Sequence, residues 1–154
     1  MRVVFASHRA DVIGGGEISL LLLMGELWRT GFQVTLCIPG AGELERRARA
    51  EGIPVRIVPM PPLGLTSLRS LYLWKRAASE LEPHILHANT SRAAVYAGIT
   101  GRILNIPVVF HCRIADKDRR LDWLLVRLAT HVIANSQATA RRFSPWPGLP
   151  VDVV

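Results

Sequence analysis

Short apolar runs rich in Val and Ile recur along the chain at Val3–Ala6, Val34–Ile38, Val55–Val58, Ile85–His87, Val108–His111, Val132–Ala134 and Val151–Val154. Between them lie longer stretches of helical character: Glu17–Thr30, Glu43–Glu51, Leu68–Leu81, Ser91–Leu104, Leu121–Ala129 and Gln137–Phe143. This alternation predicts an α/β fold, a Rossmann-like, doubly wound and mainly parallel sheet of about seven strands with helices on both faces. The strands carry few polar residues, as parallel strands covered on both sides require. The run Leu20–Met24 predicts a first helix buried around most of its circumference.

Turn residues set the boundaries. Gly31 stops the first helix, and Gly52-Ile53-Pro54 and Asn105-Ile106-Pro107 each reset the chain for a new strand. Pro59-Met60-Pro61-Pro62 breaks the third unit and opens a loop. The last residues, Val151–Val154, still read as strand, which predicts that residues 1–154 are one domain of a longer protein.

With 154 residues, 49% hydrophobic and 20% charged, the chain is sized for one core. Its formal net charge of +7 favours anionic partners without choosing among nucleotides, phospholipid surfaces and nucleic acid. The apolar start Val3–Ala6 is too short for a secretory leader, and no later run reaches the length of a membrane span. Cys37 and Cys112 lack CxxC spacing and predict buried free thiols. The expected location is the cytoplasm, either free or peripheral at the inner face of the membrane.

Gly14-Gly15-Gly16-Glu17, between a strand and an apolar helix, is the first candidate for chemistry. Glycines let a backbone pass close to a ligand, and the helix behind them directs unpaired N–H groups and its positive dipole end at the same place. A dinucleotide corner is one reading, with Gly14, Gly16 and Ser19 as its small residues. Two details oppose it: Ser7–Ile13 separates the glycines from the strand, and the second strand ends in Cys37-Ile38-Pro39 with no acid for a ribose hydroxyl.

The longer order of motifs resembles the N-terminal domain of family 4 retaining glycosyltransferases, which have the GT-B fold. It comprises the first strand, Ser7-His8, the glycine run, the apolar helix and Arg29-Thr30-Gly31-Phe32-Gln33-Val34-Thr35. It continues in Pro83-His84-Ile85-Leu86-His87-Ala88-Asn89, Pro107-Val108-Val109-Phe110-His111 and Val132–Thr139, and covers essentially the whole chain. The resemblance implies that this domain holds the acceptor, a glycan or a lipid-linked one. A C-terminal domain outside the chain would hold the nucleotide sugar, a co-substrate used without a metal. Transfer of a hexosyl unit with retention, of the kind used in cell envelope polysaccharide biosynthesis, would occur in the cleft between them. The isolated domain would be inactive, and nucleic acid would not be a partner.

Carried over by position, Gly15 and Gly16 would bring amides to the donor diphosphate, and His111 would stand as the catalytic residue beside the acceptor and the transferring sugar. Glu17, His87, Asn89 and Arg113 would contact acceptor or sugar. Each has a plainer reading: Glu17 as a carboxylate stabilising a first helical turn, His111 as a strand-end histidine satisfied by backbone, Arg113 as a solvated loop residue.

Other patterns carry less. His84 and His87, three apart on a strand, point to opposite faces and do not suggest a metal. Glu43 and Glu51 reproduce an E-x7-E spacing that the family uses in its other domain; here they bracket Arg46, Arg47 and Arg49, as in a solvated helix with i,i+4 ion pairs. Asn89-Thr90-Ser91 is a glycosylation sequon, relevant only to a secreted protein. Leu68–Arg76 and Lys117–Leu124 mix basic and apolar residues, which suits either an anionic bilayer or helices that cover the sheet and turn arginine to water. Two other functional classes stay open, an epimerase of nucleotide sugars with the same fold and a non-catalytic binding module.

Overall fold

The computed structural model describes residues 1–64 and 67–154. Seven strands, β1 (Arg2–Ala6), β2 (Gln33–Ile38), β3 (Val55–Ile57), β4 (Ile85–Ala88), β5 (Val108–Cys112), β6 (His131–Ala134) and β7 (Val151–Val153), form one sheet in the order β3-β2-β1-β4-β5-β6-β7. Every pairing is parallel, so the sheet is wholly rather than mainly parallel. The helices are α1 (Gly15–Arg29), α2 (Glu43–Ala50), α3 (Ser67–Leu81), α4 (Ser91–Leu104), α5 (Arg119–Leu128) and α6 (Gln137–Ala140). The expected helix over Gln137–Phe143 is a single α-turn capped by Ser136, followed by a 3-10 turn at Arg141–Phe143.

Strand alternation divides the core in two. Val3 and Phe5 pack with Leu20, Leu21 and Met24 of α1 and Leu44 and Ala48 of α2. Val4 and Ala6 face Trp74 of α3, the small residues of α4, Leu125 of α5 and Phe143. The sheet is thus wound on both faces, α1 and α2 against α3, α4 and α5.

The buried helix is α4, not α1. Ala93, Ala94, Ala97, Gly98 and Gly101 are all buried, and a Cβ on Gly101 would collide with Val108 and the Ile106 carbonyl, one on Gly98 with Leu128. Small residues let α4 sit close on the sheet between α3 and α5. By contrast α1 packs beside α2 among the described residues, and Ile18 and Leu22 are exposed.

Left-handed residues end the units where the sequence predicts: Gly31 (φ 88°), Gly52 (φ 78°) and Asn105 (φ 56°). Glu43 pairs with Arg46 and Arg47, and Glu45 with Arg49, making α2 the solvated helix expected. Cys37 and Cys112 are buried free thiols, and burial pushes the Cys37 thiol up to about 12.

A buried ion pair locks the second half of the sheet. Asp122 of α5 accepts from Arg142 Nε at 2.7 Å, and Arg142 also donates to the Ile114 carbonyl at 3.1 Å. Both side chains are almost fully buried. Removing one partner strands the other charge, so Asp122→Ala should destabilise the fold by about 3–5 kcal/mol. Urea denaturation followed by circular dichroism checks this.

Candidate functional site

The strand order reverses between β1 and β4: α1 leaves β1 on one face of the sheet and α4 leaves β4 on the other. Such a switch leaves a crevice beyond the carboxyl ends of the strands. A cleft of about 700 Å³ lies there, lined by the loop after β1 (His8, Arg9, Ile13, Gly14), by Gly16 and Glu17 of α1, by Asn89–Arg92 after β4, and by His111–Ile114 at the end of β5. The long loop after β1 is pinned from behind, since Leu44 N–H donates to the Ala10 carbonyl at 2.8 Å and a side chain at Gly42 would strike that carbonyl.

Arg113 organises the floor. Its Nε donates to Asn89 Oδ1 at 3.0 Å, Nη1 to Ser19 Oγ at 3.1 Å, and Nη2 to His111 Nδ1 at 3.2 Å. Asn89 in turn donates to the Gly16 carbonyl at 3.3 Å. A guanidinium has no acceptor, so Nδ1 of His111 accepts and the ring proton sits on Nε2. That Nε2 is buried and has no protein partner.

Five of the seven residues singled out by sequence converge on the cleft lining: Gly16, Glu17, Asn89, His111 and Arg113. Gly15 starts α1 outside the lining, and the space beside its Cα is open. Gly16 is approached by the protein itself, Arg113 Cδ lying 3.3 Å from where a Cβ would stand. Glu17 Oε2 accepts from the Gly14 N–H at 3.1 Å, so its carboxylate closes the start of α1. His87 is not on the lining. Its position in β4 turns it to the face of Phe5, where it stacks at 4.6 Å and meets the His111 ring edge-on at 5.7 Å. His84 lies before β4 and accepts the Arg2 N–H, away from His87.

The lining also holds polar residues to which the sequence reading gave no site role, among them His8, Arg9, Thr90, Ser91 and Arg92. His8 Nδ1 lies 2.8 Å from Thr90 Oγ1, and the same hydroxyl caps α4. His8 and Arg9 follow β1, and Thr90, Ser91 and Arg92 open α4, a placement that the strand ends imply. Among the described residues no three metal-binding side chains cluster, and no helix is long and apolar enough to cross a membrane.

The sequence model of Glycosyltransferase Family 4 matches residues 13–154. The chain belongs to that family. No curated protein matches it in sequence. Among solved structures, Anabaena HepE in complex with UDP and glucose superposes at a TM-score of 0.79 with 23% identity, over 99% of this chain and 43% of that one. Acinetobacter baumannii MurG gives 0.75 with 18% identity, over 99% and 45%. A putative UDP-N-acetylglucosamine 2-epimerase from Listeria monocytogenes gives 0.71 with 12% identity, over 99% and 44%. The shared feature is the fold, and the family 4 domain spans less than half the length of each of these chains.

In the family 4 domain His87 and His111 are both held neutral. Burial, then the Arg113 charge, lowers His111 to about 4. Burial, then His111 and Arg113, lowers His87 to about 3. A histidine that protonates later in the folded state than in the unfolded one subtracts stability as pH falls from its ordinary value near 6.5 toward the folded value. Urea midpoints should therefore decline between pH 6.5 and 4, and His87→Phe should flatten that decline. Imidazole 15N spectra at pH 7 should show His111 as the Nε2–H tautomer, and Arg113→Met should mix the tautomers.

Proposed function

We propose that residues 1–154 are the acceptor-side domain of a retaining glycosyltransferase that uses a nucleotide sugar, completed by a donor-binding domain outside this chain. The observation that carries this reading is the cleft at the β1–β4 switch. It holds a neutral histidine with an unpartnered N–H, a guanidinium and a glycine-rich helix start within one bonded network. Such a surface binds hydroxyl and phosphoryl oxygens.

In this reading the anomeric carbon–oxygen bond breaks as the nucleoside diphosphate departs with the electron pair, while the acceptor hydroxyl attacks from the same face. Its proton goes to the departing diphosphate. His111 donates from Nε2 to an oxygen of the sugar or acceptor and does not act as the base, because Nδ1 is occupied and the ring protonates only near pH 4. Asn89, Glu17 and the amides of Gly15 and Gly16 bound the space for the sugar and the diphosphate. Charge on the leaving group is met by amides and guanidinium groups and not by a metal. His87 supports the His111 ring from beneath. The isolated domain binds acceptor without turnover, at the cytoplasmic side and free of nucleic acid. Leu68 and Tyr72 on the outer face of α3, among Arg69 and Lys75, would rest against an anionic bilayer.

In the two-domain enzyme His111→Ala should lower sugar transfer by about 10²-fold or more, the cost of one preorganised donor, with the circular dichroism spectrum unchanged. Near-normal transfer would remove His111 from the mechanism. NMR of the first-formed product should show the anomeric configuration of the donor, whereas acceptor-independent release of nucleotide with an epimerised sugar would point to the epimerase class.

A further inference from the structure

Residues 135–139 follow β6 and belong to a motif on which the family resemblance rests, yet none of them lines the cleft. Their side chains are nonetheless committed. Asn135 Nδ2 donates to the Arg113 carbonyl at 3.3 Å, and Asn135 Oδ1 accepts from Thr139 Oγ1 at 2.7 Å. The amide fits only this way round, because reversed it would set Oδ1 against a carbonyl oxygen. Thr139 gives its one hydroxyl proton to Asn135, so at 3.0 Å it accepts from Ser136 Oγ, the group that also caps α6 by accepting the Thr139 N–H at 3.2 Å. The donors therefore run in one direction, from Ser136 through buried Thr139 and Asn135 to the backbone of Arg113.

Three consecutive carbonyls are caught in this way where β5 ends. The Cys112 carbonyl accepts the Asn135 N–H at 3.3 Å, that of Arg113 accepts from the Asn135 side chain, and that of Ile114 accepts from buried Arg142 Nη1 at 3.1 Å. A chain leaving its ladder has carbonyls without strand partners, and one short stretch, 135–142, supplies all three donors. Arg113, in the middle of the three, is the residue whose guanidinium reaches Asn89, Ser19 and His111. An arginine stem is long and flexible, so the pose of its tip depends on how firmly its root is held. The bond from Asn135 lies at the surface, where water would satisfy the Arg113 carbonyl at little cost. Water would not supply a fixed position.

Resting on the reading of His111 as a donor in sugar transfer, we propose that Asn135, fixed by Thr139, is a positioning residue for that step. It anchors the backbone of Arg113, and through the Arg113 guanidinium it keeps the His111 ring in one tautomer and one pose. Its effect falls on the pose of a reacting group and not on substrate affinity, so it enters kcat and leaves KM alone. A purely structural role, closing the start of α6, would change the folded fraction and leave the His111 ring as it is.

Imidazole 15N spectra of the chain and steady-state kinetics of the two-domain enzyme test the anchor. Asn135→Ala should mix the His111 tautomers at pH 7 while the backbone amide spectrum confirms an intact fold. Thr139→Val, which keeps the buried shape and removes the hydroxyl, should do the same in smaller measure, and Thr139→Ser should keep the wild-type imidazole pattern. In the two-domain enzyme Asn135→Ala should lower kcat about ten-fold, the worth of one hydrogen bond, with KM for the nucleotide sugar unchanged. Added to Arg113→Met, the same substitution should leave both the tautomer ratio and kcat where Arg113→Met alone put them, because the anchor then has no guanidinium to hold. A wild-type imidazole pattern in both Asn135→Ala and Thr139→Val, or a full Asn135→Ala effect on top of Arg113→Met, overturns the proposal. The wider reading fails differently: near-normal transfer in His111→Ala removes His111 from the mechanism whether or not Asn135→Ala mixes its tautomers.

Discussion

The molecule is organised by the divergence of α1 and α4 from neighbouring strands. Parallel strands require a helical return after each strand, and these two returns leave on opposite faces of the sheet. Side chains of both helices, Glu17 and Arg92 among them, line the ground between their starts, and the crevice itself is a consequence of winding. Around it, each helix start presents unpaired amides to the same space.

Arg113 converts that crevice into a site. It reaches Asn89 after β4, Ser19 on α1 and His111 on β5, so three elements that only diverge are tied by one planar group. The three bonds all go to neutral partners, so its charge is kept in a half-buried place without an ion pair. The same guanidinium fixes the His111 ring in one tautomer and one pose. His87 beneath it adds an edge-to-face ring contact and a second neutral imidazole, which together keep protons off the floor.

Tight packing on the far side makes the geometry durable. Gly98 and Gly101 let α4 settle onto β4, β5 and α5, which sets the height of Thr90 and Arg92 above the strand ends. The Asp122–Arg142 pair does the same for the segment after β5, since Arg142 holds the Ile114 carbonyl.

The succession of strands and helices along the chain and the turn residues were legible because each depends on local patterning: apolar runs, helical periodicity, and left-handed positions at Gly31, Gly52 and Asn105. The same local signals placed Gly16, Glu17, Asn89, His111 and Arg113 at one end of the sheet. What they could not reveal was which helix is enclosed. Leucines at Leu20–Met24 read as deep burial, yet enclosure depends on neighbours, and α4 with its small residues has helices on both sides while α1 packs beside α2 among the described residues. Nor could spacing tell that His87 turns under His111 or that Glu17 closes its own helix. Those outcomes are set by contacts between residues distant along the chain. The sequence by itself determined the family, the alternation and the end of the sheet where chemistry collects; the tertiary structure alone decided which side chains there are free to meet a ligand, because hydrogen bonds made across elements use up some donors and acceptors and leave others open.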